Sequence, residues 1–241
     1  MYDVVIIGSG PAGYSAALRA GQLGFKTALV DRGPVGGMCV NWGCVPMISF
    51  MESARLFRRL KDSDMLGITG IDYSRVGLDL KKVVLRASAV AGEVRAAVTA
   101  MLKRLAVDII AGEAGITDAE TVVAGGRILK TSFVLIGTGS VPLPFNPDPA
   151  LRKALGGAEI VELKNLFGRT DMKESLAVWG GTPSALEIAQ FFALSGRRVV
   201  LLYPEEGFSA GMDRDVLSGL LPVLEKDGVR FMPVGEYLKN P

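Results

Sequence analysis

Residues 36–46 read GGMCVNWGCVP, and Cys39 and Cys44 are the only two cysteines among 241 residues. Two cysteines kept so close in sequence, beside glycines, and none elsewhere suit reactive thiols, which act as thiolates. The alternative is a pair of buried structural cysteines. The chain has no histidine. Structural zinc usually takes four Cys or His ligands, so no metal site is expected. The commonest general base is missing as well, which excludes Ser-His-Asp and Cys-His catalysis within these residues.

The opening residues carry a second set with chemical meaning. An apolar strand runs into Gly8-x-Gly10-x-x-Gly13, followed by an alanine-rich helix stopped at Gly24 and a second strand ending at Asp31. In this context Gly8 permits a tight turn, Gly10 lets a pyrophosphate approach the backbone, and Gly13 lets helix and strand close. The anion would rest on the helix N-terminus, where free N–H groups and the dipole favour negative charge. Asp31 stands where such units carry the acid that accepts from ribose hydroxyls. The alternative is a Rossmann-like unit that binds nothing.

The unit recurs 172 positions later as LAVWGGTPSALEIAQFFALSGRRVVLLY, with Gly180 over Gly8, Pro183 over Pro11, Gly196 over Gly24 and Tyr203 over Asp31. Here Thr182 takes the place of the middle glycine and puts a branched side chain where a pyrophosphate would approach. Ala185 replaces the third glycine, a change the fingerprint tolerates. Tyr203 removes the ribose acid, although Glu205 and Glu206 follow within reach. A nicotinamide nucleotide, NAD(P), is therefore a doubtful ligand of this copy.

Between the copies, the pattern predicts helices over 47–59 and 79–105, then short strands over 107–111, 121–124, 127–129 and 133–136. Gly125-Gly126 signals a hairpin. A tight turn LIGTGS follows, and then the proline-rich connection PLPFNPDP. The expected class is α/β: a Rossmann-like domain with a β-meander over 1–145, a connection over 146–170 and an incomplete second Rossmann-like domain over 171–241.

Composition narrows the partners. A net charge of +2 implies no nucleic-acid or membrane partner. Arg55, Arg58, Arg59 and Lys61 sit at helical spacing and read as a solvated face. No apolar run reaches the ~18–20 residues needed to span a bilayer, and the strand at the N-terminus is unlike a secretory signal. These features read as an unprocessed, cytoplasmic chain. Mean hydropathy is +0.33, which suggests surface meant to be covered by something outside these residues.

In order and spacing, the two glycine units, the Cys-x4-Cys segment and the TGS turn resemble the flavoprotein disulfide reductases. GGMCVNWGCVP is most similar to the dihydrolipoamide dehydrogenase pattern GGTCxNxGCxPSK. The resemblance implies FAD as cofactor and a small-molecule or protein-bound dithiol or disulfide as substrate. It makes Cys39 the interchange thiol and Cys44 the inward thiol lying against the flavin. Gly8, Gly10, Ala12, Gly13, Asp31 and Arg32 would hold the ADP part. Gly37, Met38 and Cys44 would line the flavin, the backbone at Glu113 and Ala114 would approach the adenine, and Thr138 and Gly139 would close over the diphosphate. Gly180 and Glu187 would belong to the second nucleotide unit and its contact with the flavin.

The chain departs from the family in three ways. Ile48 stands where the family has the lysine that lies near the flavin and pairs with the acid at Glu187. The second copy carries Thr182 and Tyr203. The sequence ends at Pro241, inside the second unit, so the rest of that unit, a returning FAD segment and the dimerisation domain with its His–Glu pair are expected elsewhere, in a missing half or a partner chain; the intact family forms homo-oligomers. Two readings follow: an FAD-dependent dithiol–disulfide oxidoreductase, or a flavin-binding but catalytically reduced subunit or redox shuttle that does not use NAD(P)H.

Overall fold

Val4, Val5, Ile6 and Ile7 are β-branched, and such side chains pack well on a pleated surface. In the computed structural model, which describes residues 1–204, 208 and 211–239, they lie in β1 (Tyr2–Ile7). Next come α1 (Pro11–Gln22), β2 (Thr27–Asp31), α2 (Gly37–Trp42), α3 (Cys44–Arg59) and α4 (Leu80–Arg104). Four strands follow: β3 (Asp108–Ala111), β4 (Ala114–Asp118), β5 (Thr121–Ala124) and β6 (Arg127–Ile136). The chain continues through α5 (Pro149–Ala154), α6 (Leu163–Leu166), β7 (Ser175–Trp179), α7 (Pro183–Leu194), β8 (Arg198–Tyr203), α8 (Arg214–Lys226), β9 (Val229–Pro233) and α9 (Val234–Tyr237). Two compact units result, neither continuous in sequence: Met1–Pro46, Arg86–Leu143 and Leu163–Phe167 form the first, and Met47–Leu85, Pro144–Glu162 and Gly168–Pro241 the second.

The first unit is built on a sheet in the order β3-β2-β1-β6-β5-β4. Strands β1, β2 and β3 and the distal part of β6 run parallel, and β4, β5 and the proximal part of β6 form an antiparallel meander. Alternation along the strands separates two cores. Ile6 and Leu29 pack with Ala17 of α1 and with Val98 and Leu102 of α4. Val5, Ala28 and Val30 face the other way and meet Val122, Ala124 and Leu129 of the meander. Tyr2 donates from its hydroxyl to Asp108, and Arg127 donates to both, tying β1, β3 and β6 together at one end of the sheet. The hydrogen bond to Asp108 raises the Tyr2 hydroxyl, and the bond from Tyr2 holds the Asp108 carboxyl below the usual range.

Two of the expected short strands are one. Polar residues Lys130, Thr131 and Ser132 interrupt the apolar pattern, but β6 runs through them because it changes partners there. Residues 127–130 pair with β5 and 131–136 with β1. The buried Thr131 spends its hydroxyl on the Phe133 carbonyl, 2.9 Å away. Strand β4 is absent from the sequence expectation, since its Gly115 and exposed face give no clean alternation. Gly125 and Gly126, at φ 55° and 74°, make the expected hairpin turn.

The second unit holds a parallel sheet in the order β7-β8-β9. Helix α7 buries Leu186, Ala189, Phe191 and Phe192, and the Phe191 ring lies 4.8 Å from that of Phe50 on α3. Arg58 is not simply solvated: it pairs with the largely buried Asp227 at 3.2 Å, and Gln190 donates to the same carboxylate at 2.9 Å.

Candidate nucleotide and dithiol site

The first glycine turn sits at the C-terminal end of β1. Gly8 has φ 100°, which only glycine adopts readily, and a Cβ there would lie 2.3 Å from the Gly137 carbonyl oxygen. A Cβ on Gly13 would fall 1.7 Å from the Gly8 carbonyl oxygen, so that glycine sets how closely α1 meets the strand. Gly10 differs: a Cβ there would meet no protein atom within 4 Å, and its φ of −65° is ordinary. Among the described residues, no steric contact requires glycine at this position. The space lies at the start of α1, which begins at Pro11 with no side-chain cap. An uncapped helix N-terminus with open room before it fits a phosphate group.

Other candidate residues come to the same end of the sheet. Gly37 approaches Gly10 so closely that a Cβ on it would lie 2.7 Å from the Gly10 Cα, and the Gly36 N–H donates to the Ser9 carbonyl at 2.9 Å. The Gly137–Gly139 turn lies over Gly8, with Thr138 and Gly139 exposed. Ala12 is exposed on the first turn of α1. Asp31 accepts from the backbone N–H and hydroxyl of Ser9 and from the Gly33 N–H at 2.8 Å. Three hydrogen bonds leave a carboxylate one further acceptor position. The Gly112 N–H donates to the Asp31 carbonyl at 2.8 Å, and Glu113 faces Arg32 at 3.6 Å, which brings the chain at 112–114 beside the end of β2. Ala114 then opens β4, half-buried against the meander core. The fully buried Ser9, which the sequence pattern does not single out, locks Asp31 to the glycine turn. Its place between Gly8 and Gly10 was the available signal.

Cys39 lies in the first turn of α2 and Cys44 is the first residue of α3; both are free thiols. The left-handed Gly36 and Gly37 (φ 102° and 58°) begin α2, and Gly43 ends it. Pro46 falls in the first turn of α3, where a missing N–H costs nothing. The two thiols interact with each other. Burial, followed by the hydrogen bond to Cys44 and the charge there, pushes Cys39 up to about 11. Cys39 is the thiol that holds its proton; Cys44 opens the 16-residue helix α3. Cys44 is exposed and Cys39 half-buried. Spacing alone says nothing of burial, and here α2 is drawn inward by the docking of Gly36 and Gly37 on the first glycine turn. Met38 is exposed, and Ile48, one turn along α3 from Cys44, is 68 % exposed.

The second unit repeats the glycine-turn geometry of the first, with a self-capped helix. Gly180, at φ 122°, donates to the Leu202 carbonyl at 2.9 Å, the counterpart of the Gly8 N–H bonding the Val30 carbonyl at 2.7 Å. Thr182 caps α7 with its own hydroxyl, which accepts from the Ala185 N–H at 3.4 Å. The Tyr203 ring stacks on Phe208 with centroids 4.2 Å apart, so an aromatic pair stands where the first unit has its acid. Glu205 and Glu206 lie outside the described residues. Glu187 is exposed on α7. Among the described residues no helix is long and apolar enough to cross a membrane.

Comparison with known proteins agrees with this architecture. Residues 2–236 match the family model described as pyridine nucleotide-disulphide oxidoreductase. The chain is 33 % identical over 238 residues to a dihydrolipoyl dehydrogenase of Acholeplasma laidlawii, covering 99 % of this chain and 70 % of that protein. It is 32 % identical to the Chlorobaculum tepidum enzyme of the same name and 44 % identical to that of Rhizobium etli, spanning 48 % and 52 % of their lengths. Two copper(II) complexes of the HOCl-induced flavoprotein disulfide reductase RclA from Escherichia coli share the fold. Their TM-scores are 0.76 and 0.74 at 22 % identity, over 96 % of this chain and 49 % and 48 % of theirs.

Proposed function

The chain belongs to the pyridine nucleotide-disulphide oxidoreductase family, and from that premise we propose that it is an FAD-dependent dithiol–disulfide oxidoreductase of the dihydrolipoyl dehydrogenase type. The observation that carries this reading is Gly10: a glycine that the protein's own packing does not need, at an uncapped helix N-terminus, beside the only pair of cysteines. FAD would rest its diphosphate on α1 against Gly10, Ala12, Thr138 and Gly139. The remaining acceptor position of Asp31 would take a ribose hydroxyl, and the backbone at Glu113 and Ala114 would meet the adenine. Met38, Gly37 and Cys44 would border the ring. When bound, the flavin supplies a two-electron acceptor for the dithiol.

The chain's own residues account for the sulfur chemistry. In the oxidised pair, a substrate thiolate attacks the Cys39 sulfur. A substrate–Cys39 bond forms, the Cys39–Cys44 bond breaks, and Cys44, the first residue of α3, leaves as a thiolate. The second substrate thiol, once deprotonated, attacks the mixed disulfide. The substrate departs as a disulfide, and Cys39 takes up a proton and holds it, as its raised value requires. Running the sequence backward needs a base for Cys39, and these residues contain no histidine to act as one. The exposed Ile48 in place of a cation, the Thr182 cap and the Tyr203–Phe208 stack all favour slow exchange with nicotinamide nucleotides.

The reading is tested by titrating the chain with FAD and following flavin fluorescence and thermal stability. Saturable quenching with a rise in Tm is expected for the wild type and not for Gly10→Val. A chain that gains no stability with FAD refutes the assignment.

A further inference from the structure

We propose that Asn41 and Arg95 are positioning residues for the Cys39–Cys44 pair and set its dithiol–disulfide equilibrium; this rests on the redox reading of that pair. Helix α2 has six residues, too few to persist without outside support, yet it must hold Cys39 against Cys44. Asn41 lies between the two cysteines and supplies that support. Its Nδ2 donates to the carbonyls of Pro34, Val35 and Gly37 at 3.3, 3.2 and 2.9 Å. Its Oδ1 accepts from Nη1 of Arg95 at 2.7 Å. Three acceptors on one side and a guanidinium on the other leave a single workable orientation for the amide. One side chain therefore ties the turn before Cys39 to the helix that carries it, and the half-buried Arg95 ties that side chain to α4.

Holding two thiols in contact raises the effective concentration of each at the other and favours the closed disulfide. A loosened turn favours the open dithiol. The exchange balances as two glutathione thiols plus the protein disulfide giving one glutathione disulfide plus two protein thiols.

The full chain, with FAD present, is equilibrated anaerobically across ratios of reduced to oxidised glutathione. It is then quenched with an alkylating reagent and weighed by mass spectrometry. Asn41→Asp keeps the Arg95 pairing but sets an oxygen against three carbonyl oxygens. It is expected to shift the equilibrium ~10-fold toward the dithiol, about 30 mV for a two-electron couple. Arg95→Met is expected to shift it in the same direction, and Arg95→Lys, which keeps a donor, to recover part of the change. Folded variants whose equilibrium stays within twofold of wild type overturn the positioning role while leaving the redox reading intact. A wild-type chain that forms no disulfide at any ratio overturns both. If Asn41→Asp does not fold, the contrast between Arg95→Met and Arg95→Lys decides the matter, because a purely structural contact would alter Tm without moving the equilibrium.

Discussion

Cys39 shares a motif with Cys44 but is the more buried of the two. Burial holds Cys39 at about 11, against 9.0 for an unperturbed thiol. Its alkylation in the reduced chain should therefore accelerate about tenfold per pH unit from neutrality and level off only near pH 11; a plateau near pH 8 to 9 would contradict the assignment. The sign for stability follows. Because the folded value is raised, the folded dithiol binds its proton more tightly than the unfolded chain. That contribution is complete below about pH 9 and is lost as pH rises through about 11. Denaturant titrations of the reduced chain should show the midpoint falling over that window, and a Cys39→Ser variant should lack that part of the fall. The pair itself was legible from spacing and flanking glycines. Which thiol is buried was not, because that depends on Gly37 meeting Gly10, a contact between segments distant in sequence.

Helices and strands show which glycines serve the fold and which serve a ligand. Gly13→Ala would put a Cβ 1.7 Å from a carbonyl oxygen and should destabilise the protein by about 1–3 kcal/mol, as overpacking does. A Cβ at Gly10 meets no described atom beyond its chain neighbours within 4 Å; in the absence of FAD, Gly10→Val should lower Tm much less than Gly13→Ala, by the cost of a poorer N-cap, while abolishing FAD binding. Equal losses of Tm in the two variants would mean that Gly10 is only structural. In the second unit, Thr182→Ala should cost about 1 kcal/mol through loss of the α7 cap, and Thr182→Gly only a few tenths. If the cap is also what obstructs the nucleotide, Thr182→Gly should speed flavin reduction by NADH. The repeat was readable because its α7 matches α1 residue for residue at an offset of 172. Strand β6 was harder to see: its polar middle marks a change of partner from β5 to β1, and single-strand periodicity does not record partners. Asn41 and Arg95 stayed hidden because nothing local pairs residues 54 positions apart.

Across the whole molecule, the chain spans about half the length of most of the curated relatives it matches. Its first unit carries the intact glycine turn and the cysteine pair, and the second has a self-capped helix and an aromatic stack in place of an acid. Among the described residues the distal part of β6 pairs on one side only, with Phe133 and Ile136 71 % and 65 % exposed, which bears on the high hydropathy read from composition. Nicotinamide nucleotides should reduce the flavin at least ~100-fold more slowly than a dithiol does, the cost of about 1 Å of misplacement at a hydride donor; rapid bleaching by micromolar NADH would show that Thr182 and Tyr203 are tolerated. The most direct measurement mixes the FAD-loaded chain anaerobically with dihydrolipoamide and follows the flavin's visible absorbance. Loss of absorbance with one dithiol consumed per flavin is predicted for the wild type, and no loss for Cys39→Ser or Cys44→Ser. Bleaching of either variant as fast as wild type would contradict the central claim that electrons pass through the Cys39–Cys44 pair.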